Sequence, residues 1–144
     1  MPTYNLSQGN GKFPFQDMSK HFAVEATLDC SEQNMVASDV AEMLNIPAQT
    51  LVSRVYWQVL TAEGATLTFD VGDGAGATGF LSGKNGNSVA NGISALALTA
   101  GSPNTVTGYT GGKYYDTADT LDITVHNTCA KAKIRIVAIC VDLS

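Results

Sequence analysis

Apolar and polar residues alternate with a period of two along several stretches of this chain. In residues 66–71, for example, polar positions separate Leu67, Phe69 and Val71. Because successive side chains of a β-strand point to opposite faces, this alternation predicts strands with one buried face. The same pattern covers residues 22–28, 51–60, 120–126 and 133–141.

The longest clear strand is predicted at residues 51–60. Ala62, Glu63 and Gly64 form a turn that leads directly into residues 66–71, which predicts a β-hairpin. The predicted inward face of the long strand consists of Leu51, Val55, Trp57 and Val59, and its other face of Arg54, Tyr56 and Gln58.

Residues 133–141 differ from the other predicted strands because both of their faces are apolar. A strand that is apolar on both faces is buried on both. A loop, the N-terminal segment or another chain must then cover the second face, and we expect that face to bind a partner. The first face carries Ile134, Ile136, Ala138 and Cys140, and the second carries Val137, Ile139 and Val141.

Residues 1–20 are predicted to be irregular and extended, because glycine, proline and polar residues interrupt any regular element. Two interpretations stand side by side: a frayed terminus, and an arm that docks on a neighbouring subunit. The arm is favoured by its aromatic and aliphatic side chains, which a frayed tail seldom carries. These side chains are Tyr4, Leu6, Phe13 and Phe15.

Residues 36–46 allow two readings of secondary structure. Val40, Met43 and Leu44 have helical spacing, with Ser38 as a candidate N-cap. A strand is the alternative, and we favour it because the neighbouring elements are strands and Pro47 ends the run.

Residues 72–112 hold eleven of the 14 glycines. A structureless loop of that length is improbable inside a compact domain, so we expect short strands and long surface loops, with one weak strand in 88–99. Seven or eight strands and at most one helix predict an all-β fold. We predict an antiparallel β-sandwich of jelly-roll type over residues 21–144, preceded by the arm of residues 1–20.

Composition points to a covered surface. Charged residues make up 15% of the 144 residues and hydrophobic residues 44%, whereas soluble globular chains average roughly 25% charged residues. A surface this neutral is often covered by a partner. The formal net charge of −5 argues against a nucleic-acid partner, which requires a basic face.

The sequence shows no signal peptide or membrane span, and its cysteines do not suggest an oxidising compartment. Residues 1–20 lack the apolar core of a signal peptide, and no stretch approaches the roughly 18 apolar residues of a membrane span. Cys30, Cys129 and Cys140 are odd in number and widely spaced, which fits neither a disulfide framework nor a zinc site. We therefore expect no membrane partner, synthesis in a reducing cytoplasm, and a reduced, buried Cys140.

Five aspartates, one of them flanked by glycines, raise a calcium hypothesis, since hard cations prefer several oxygen ligands. The spacing of a calcium-binding loop is missing, however, and aspartate beside glycine is typical of turns. We favour turns and expect no metal site. The aspartates are Asp70, Asp73, Asp116, Asp119 and Asp122.

No catalytic constellation is visible. His126 and Asp122 lie four residues apart on one strand face and could orient a base, but no nucleophile motif accompanies them. Glutamates that could act as a glycosidase pair are scattered along the sequence. We predict no catalytic residue, no cofactor and no enzymatic activity.

Three tyrosines beside the glycine-rich loops could form a sugar-binding surface, since binding residues are often found on loops. Trp57 lies on the inward face of its strand and is assigned to the core instead. The candidate glycan-facing residues are Tyr109, Tyr114 and Tyr115.

Three segments of the chain resemble small structural proteins encoded near the capsid genes of tailed bacteriophages, namely head decoration, cement or minor capsid proteins. The resemblance covers roughly residues 35–143 and consists of strands joined by Gly-Asp turns. Residues 1–20 have no counterpart in it. The segments are TAEGATLTFDVGDG at 61–74, Gly79-Phe80-Leu81, and residues 114–125.

The resemblance implies a β-sandwich that assembles, often as trimers, on the outer surface of a capsid, and it carries no catalytic residues. Our first hypothesis is therefore a virion protein, made in the host cytoplasm, that binds the major capsid protein and bridges its subunits as a homotrimer. The alternative is a lectin-like or receptor-binding phage module, and a glycan hydrolase is disfavoured by the lack of a motif. The partner-binding residues of the first hypothesis are Tyr4, Leu6, Phe13, Phe15, Val137, Ile139 and Val141.

Overall fold

The computed structural model describes residues 20–94, 109 and 111–144. This part of the chain contains nine β-strands and no α-helix. The all-β class is confirmed, with more strands than the predicted seven or eight. The strands are β1 (His21–Asp29), β2 (Val40–Ile46), β3 (Thr50–Thr61), β4 (Thr68–Gly72), β5 (Leu81–Asn85), β6 (Asn91–Ile93), β7 (Lys113–Tyr115), β8 (Asp119–Val125) and β9 (Lys133–Asp142).

The strands form two antiparallel sheets. The five-stranded sheet has the order β1-β9-β3-β6, and β7 pairs with the other end of β3. The four-stranded sheet has the order β2-β8-β4-β5. The apolar faces of the two sheets pack against each other as a β-sandwich, as the sequence predicts.

The core lies between the sheets and is made by the inward positions of the alternating pattern. β9 is the centre of one side, because it pairs with β1 along one edge and with β3 along the other. Trp57 points into this core and meets Phe69 of the opposite sheet edge-on, with ring centroids 5.7 Å apart. Fully buried core residues include Val52, Val55, Val59, Phe69, Val71, Leu121, Ile123, Val125, Ile134, Ile136, Ala138 and Cys140.

The predicted hairpin between residues 51–60 and 66–71 is wrong. β3 lies in the five-stranded sheet and β4 in the four-stranded sheet, so the segment between them crosses from one sheet to the other. Alternation identifies the buried face of a strand but not its hydrogen-bonding neighbour. β3 and β4 bury their apolar faces in the same core from opposite sides.

Leu51 does not lie on the predicted inward face of β3. The pairing of β3 with β9 shifts between Val52 and Arg54, which marks a β-bulge. A bulge inserts one residue and reverses the faces on either side of it. Val52 is therefore buried in the core, while Leu51 pairs with Val141 on the other side.

Residues 36–46 form a strand over Val40–Ile46, which confirms the favoured reading. The weak strand predicted in 88–99 corresponds to β6, and residues 95–99 lie outside the described part of the chain. The predicted arm also lies outside it, apart from Lys20, so the arm remains a prediction.

Candidate functional site

The five-stranded sheet has one face turned away from the core, which we call the outer face. Antiparallel partners lie on the same face of a sheet, so the strand register shows which residues share it. The outer face contains Ala23, Glu25 and Thr27 of β1; Leu51, Arg54, Tyr56 and Gln58 of β3; Asn91 and Ile93 of β6; Tyr114 of β7; and Arg135, Val137, Ile139 and Val141 of β9.

The centre of the outer face is apolar. Val137, Ile139 and Val141, which the sequence assigns to partner binding, lie along its middle strand and are partly buried by their neighbours. Tyr56 remains 39% exposed and Ile93 38% exposed beside them. Sequence reasoning missed Tyr56 and Ile93 as members of this surface, because they join it through the pairing of β3 with β9 and β6.

Two ion pairs of this sheet lie toward the start of β9, whereas Arg54 lies opposite Ile139. Arg135 forms an ion pair with Glu25, and Lys133 lies 3.6 Å from the carboxylate of Asp29. Both pairs bridge β9 and β1. On β9 itself, the outward positions after Arg135 are the apolar residues Val137, Ile139 and Val141.

A second group of interacting side chains surrounds Asp73, just after β4, and we call it the Asp73 cluster. The Asp73 carboxylate is buried and accepts five hydrogen bonds. The donors are Tyr109 Oη (2.8 Å), Lys113 Nζ (2.7 Å), Tyr115 Oη (2.7 Å) and the backbone N–H groups of Ala75 (3.0 Å) and Gly76 (2.9 Å).

Electrostatics keep this cluster ionised. Burial alone would raise the pKa of Asp73, but the hydrogen bonds from Lys113, Tyr115 and Tyr109 outweigh burial and lower it from 3.8 to about 2. Burial would lower the pKa of Lys113, yet its hydrogen bond to Asp73 leaves that pKa raised. The result is a charged pair at neutral pH that joins β7 to the loop after β4.

The two backbone donors to Asp73, Ala75 and Gly76, are those of a turn beside the aspartate, whereas the three side-chain donors come from distant residues. Within residues 20–94, 109 and 111–144, no group of three or more histidine, cysteine, aspartate or glutamate side chains is arranged to hold a metal ion.

The three candidate glycan-facing tyrosines are not brought to one surface. Tyr115 is 3% exposed with its hydroxyl on Asp73, which corrects its predicted placement. Tyr109 is partly buried and packs edge-on against Phe80. Tyr114 is 46% exposed on the outer face, because neighbouring residues of β7 point to opposite sides.

His126 pairs with Asp70 rather than with Asp122, the partner suggested by sequence spacing. Its Nε2 lies 2.5 Å from Asp70 Oδ2, and the other Asp70 oxygen accepts the N–H of Gly83 at 2.7 Å. This pair crosses from the end of β8 to β4, its neighbour in the four-stranded sheet.

The expectation that the cysteines form no disulfide is wrong. Cys30 and Cys129 are disulfide-bonded, with their Cα atoms 5.6 Å apart. Two backbone hydrogen bonds between Met35 and Cys129 bring the two connecting segments together. Cys140 is buried and unpaired, as predicted, and burial raises its pKa to about 11.

The remaining predicted partner residues, Tyr4, Leu6, Phe13 and Phe15, lie outside the described residues. In the described part of the chain, no helix is long and apolar enough to cross a membrane.

No protein-family model and no curated protein matches this sequence. Solved structures of bacteriophage capsids do contain chains with the same fold. A chain in the acid-stable capsid structure of Helicobacter pylori bacteriophage KHP30 aligns with a TM-score of 0.62 and 13% identity, over 88% of this chain and 90% of that one.

Two further capsid structures give similar alignments. A chain of the cyanophage Pam1 capsid has a TM-score of 0.60 and 18% identity, over 98% of this chain and 99% of that one. A chain of the Ralstonia phage GP4 capsid has a TM-score of 0.59 and 15% identity, over 95% and 94% of the two chains. The fold of this protein is therefore one that chains of phage capsids adopt over nearly their whole length.

Proposed function

We propose that this chain is a non-enzymatic structural protein of a bacteriophage virion. It binds the outer surface of the capsid and bridges neighbouring major capsid subunits. The observation that carries the proposal is the fold, which near-complete chains of three phage capsids share. The apolar outer face supports the binding role, because large exposed apolar patches are typical of protein interfaces.

The mechanism we propose is bridging. Each copy buries its outer face against the shell, so that the subunits beneath it cannot separate without exposing that apolar surface again. A standard protein interface buries about 1,600 Å² in total. Many symmetric copies on one shell multiply the effect of each weak contact. Val137, Ile139 and Val141 are the central contacts in this proposal.

The proposal includes a homotrimer and the N-terminal arm. β1 begins at His21 and lies at one edge of the described five-stranded sheet. We assign Tyr4, Leu6, Phe13 and Phe15 of the arm to contacts with a neighbouring subunit. The low fraction of charged residues supports this assignment.

Shells of the phage that encodes this chain, stripped of their outer proteins, provide the test. Purified full-length protein is expected to co-sediment with these shells and to appear by electron cryomicroscopy as a regular surface density. It is also expected to raise the temperature at which the shells rupture. Failure to bind would overturn the proposal. Deleting residues 1–20 tests the arm separately, and unchanged binding and oligomeric state would show that the arm has no such role.

A glycan-binding module is the second candidate, favoured by the exposed Tyr114 ring on the outer face. Specific binding on a glycan array that disappears in Tyr114→Ala, but persists in Tyr4→Ala, would support it. Absence of any array signal from the full-length protein would leave the capsid role as the better account.

A further inference from the structure

The sandwich has an open side where β1 and β2, the first strands of the two sheets, approach each other. The inward residues of β9 are fully buried, whereas the inward residues of β1 are only partly buried, apart from Leu28. On the facing strand, Ala41 and Met43 of β2 are also only partly buried. The partly buried inward residues of β1 are Phe22, Val24 and Ala26.

A cavity of about 260 Å³ lies at the Leu28 end of the open side. Residues of β1, of β2 and of the segment between these strands surround it, so the space between the two sheet edges is unfilled there. The lining residues are Leu28, Gln33, Asn34, Met35, Asp39, Val40 and Ala41.

β1 lacks the features that usually protect an edge strand from further pairing, namely bulges, prolines and inward-pointing charges. Among the described strands it pairs with β9 alone, its register is unbroken over nine residues, and its inward positions are all apolar. The register of β2, by contrast, shifts between Glu42 and Leu44. The free edge of β1 is therefore the better site for an added strand.

The register shows which amides of β1 point to this free edge. The N–H of Cys30 donates to the carbonyl of Ala132 at 2.9 Å, just beyond the end of β1. In an antiparallel pair, residues that bond to the partner strand alternate with residues that point away from it. Counting back from Cys30, the inward residues of β1 bond to β9, and the N–H groups of Ala23, Glu25 and Thr27 point to the free edge.

The arm contains a segment that fits this edge, Phe13-Pro14-Phe15. In an extended segment, Phe13 and Phe15 lie on one face and Pro14 on the other. Because proline has no N–H to donate, its nitrogen must point away from the strand with which the segment pairs. Phe13 and Phe15, at the alternate positions, then direct their N–H groups at that strand.

These constraints fix the direction of the added strand. Strand direction and the face of a side chain together determine the side to which its N–H points. In β1, residues with inward side chains direct their N–H groups toward β9. A strand on the free edge that has inward phenylalanines and N–H groups directed at β1 must therefore run parallel to β1, since an antiparallel strand would direct those groups away.

A parallel strand cannot come from the same chain. Parallel neighbours need a connection of a dozen or more residues, whereas only residues 16–20 separate Phe15 from His21. A second copy has no such restriction. A contact in which each copy gives its arm to the next copy is head-to-tail and can close into a ring, as in the proposed homotrimer.

We propose that residues 13–15 of one copy add to the free edge of β1 in the next copy as a parallel strand. Phe13 and Phe15 then cover the partly buried inward side chains of β1 and close the open side. This inference rests on the arm contact and the homotrimer of the proposed function, and it names the surface that receives the arm.

Residue-resolved hydrogen exchange of the purified full-length chain, without shells, provides the test. The three edge amides, those of Ala23, Glu25 and Thr27, are expected to exchange at least tenfold more slowly in the unmodified chain than in a Phe13→Ser, Phe15→Ser double variant. Light scattering should show that this double variant no longer self-associates. Equal exchange of the edge amides in the two proteins would overturn the inference.

The matched control is a Lys12→Ser, Gln16→Ser double variant. Both of these side chains lie on the face of the arm opposite to the phenylalanines, so edge-amide exchange and self-association should equal those of the unmodified chain. An effect as large as that of the phenylalanine variant would contradict the proposed face of the arm.

A mixing experiment identifies the copy that supplies the arm. The isotope-labelled phenylalanine variant, refolded from urea with an excess of unlabelled unmodified chain, should regain the slow exchange of its edge amides. Labelled unmodified chain, refolded in the same way, is the control. Recovery in the control alone would show that the arm pairs within its own chain and would overturn the inference.

The outcome is separate from that of the shell-binding test. Slow edge amides in a chain that does not bind shells would support this inference and remove the capsid role. Shell binding by a chain whose edge amides exchange as fast as those of the phenylalanine variant would do the reverse.

Discussion

Two buried carboxylates, Asp73 and Glu63, hold together segments that are far apart in sequence. The side chains that donate hydrogen bonds to Asp73, two tyrosines and a lysine, lie 36 to 42 residues away in the sequence. The backbone N–H groups that donate to Glu63 lie 67 to 69 residues away. Burial penalises both charges, but several short hydrogen bonds to each outweigh that penalty. At the scale of single residues, these two side chains each link segments of the sandwich that are distant in sequence.

Replacing Asp73 with Asn should destabilise the fold by about 3 kcal/mol, because it removes the anion opposite Lys113 and leaves buried donors unsatisfied. Tyr115→Phe removes one hydrogen bond to the ionised carboxylate and should cost less, about 1.5–2 kcal/mol. Urea unfolding at neutral pH measures both. A change below about 0.5 kcal/mol for Asp73→Asn would mean that the cluster contributes little.

The contribution of Asp73 should depend on pH. Its pKa in the folded chain, about 2, lies below the ordinary 3.8, so the folded state favours the ionised form. The stabilisation is therefore complete above roughly pH 5 and is lost as the pH falls toward 2. Unfolding curves of the unmodified chain and Asp73→Asn should converge across this interval, and a constant gap would contradict the assignment.

At the scale of elements, the segments that connect the strands are bound to one another by side-chain hydrogen bonds and a disulfide. Glu63, in the crossing from β3 to β4, accepts the N–H groups of Ala130, Lys131 and Ala132 at 2.8 Å each. These residues belong to the connection between β8 and β9. The disulfide joins Cys30, in the connection between β1 and β2, to Cys129 in this same connection between β8 and β9.

Glu63→Gln should lower stability by about 2 kcal/mol, because an amide oxygen can satisfy at most part of the three donors and carries no charge. Glu32→Gln, at an exposed position of the β1–β2 connection, is the control and should change stability by less than about 0.5 kcal/mol. Thermal and urea unfolding measure both variants. Equal effects of the two substitutions would show that the Glu63 contacts are not stabilising.

The disulfide gives a direct chemical prediction. Titration of thiols in denaturant should find one free thiol per chain, Cys140, and three after reduction. Because the bond closes a long loop, its reduction should cost about 2–4 kcal/mol of stability. A Cys30→Ser, Cys129→Ser double variant should be insensitive to reductant. Three thiols without reduction would contradict the pairing.

At the scale of the whole molecule, stability should be highest where β9 lies between β1 and β3. Hydrogen exchange measured by mass spectrometry should show amides of β9 and β3 exchanging at least tenfold more slowly than those of β5, an edge of the four-stranded sheet. The physical reason is that β9 has hydrogen-bonded strands on both sides, whereas β5 pairs with β4 alone among the described strands. Equal protection of β5 and β9 would contradict this picture.

The arrangement of the sheets also bears on the sequence prediction. A sandwich of two antiparallel sheets is confirmed, while the jelly-roll type remains a prediction that the alternation of β1 to β4 between sheets supports.

Of the candidate site, Val137, Ile139 and Val141 were predictable, because three apolar residues on the second face of a strand are visible in the sequence. Arg54 and Tyr56 were not predictable as their neighbours, since only the strand register brings them together.

The sequence by itself determined the long strands β1, β3, β4, β8 and β9 and, apart from the bulge at Leu51, which face each of them buries. It did not place the short strands β5 and β7, and it left residues 36–46 open between helix and strand. Alternation is a local property, and the hydrophobic effect acts on it directly. Only the tertiary structure decided which strands pair, that the chain crosses to the other sheet between β3 and β4, and that Cys30 meets Cys129 across 99 residues. Such choices depend on how the two sheets close over one core, and a period of two carries no information about distant partners.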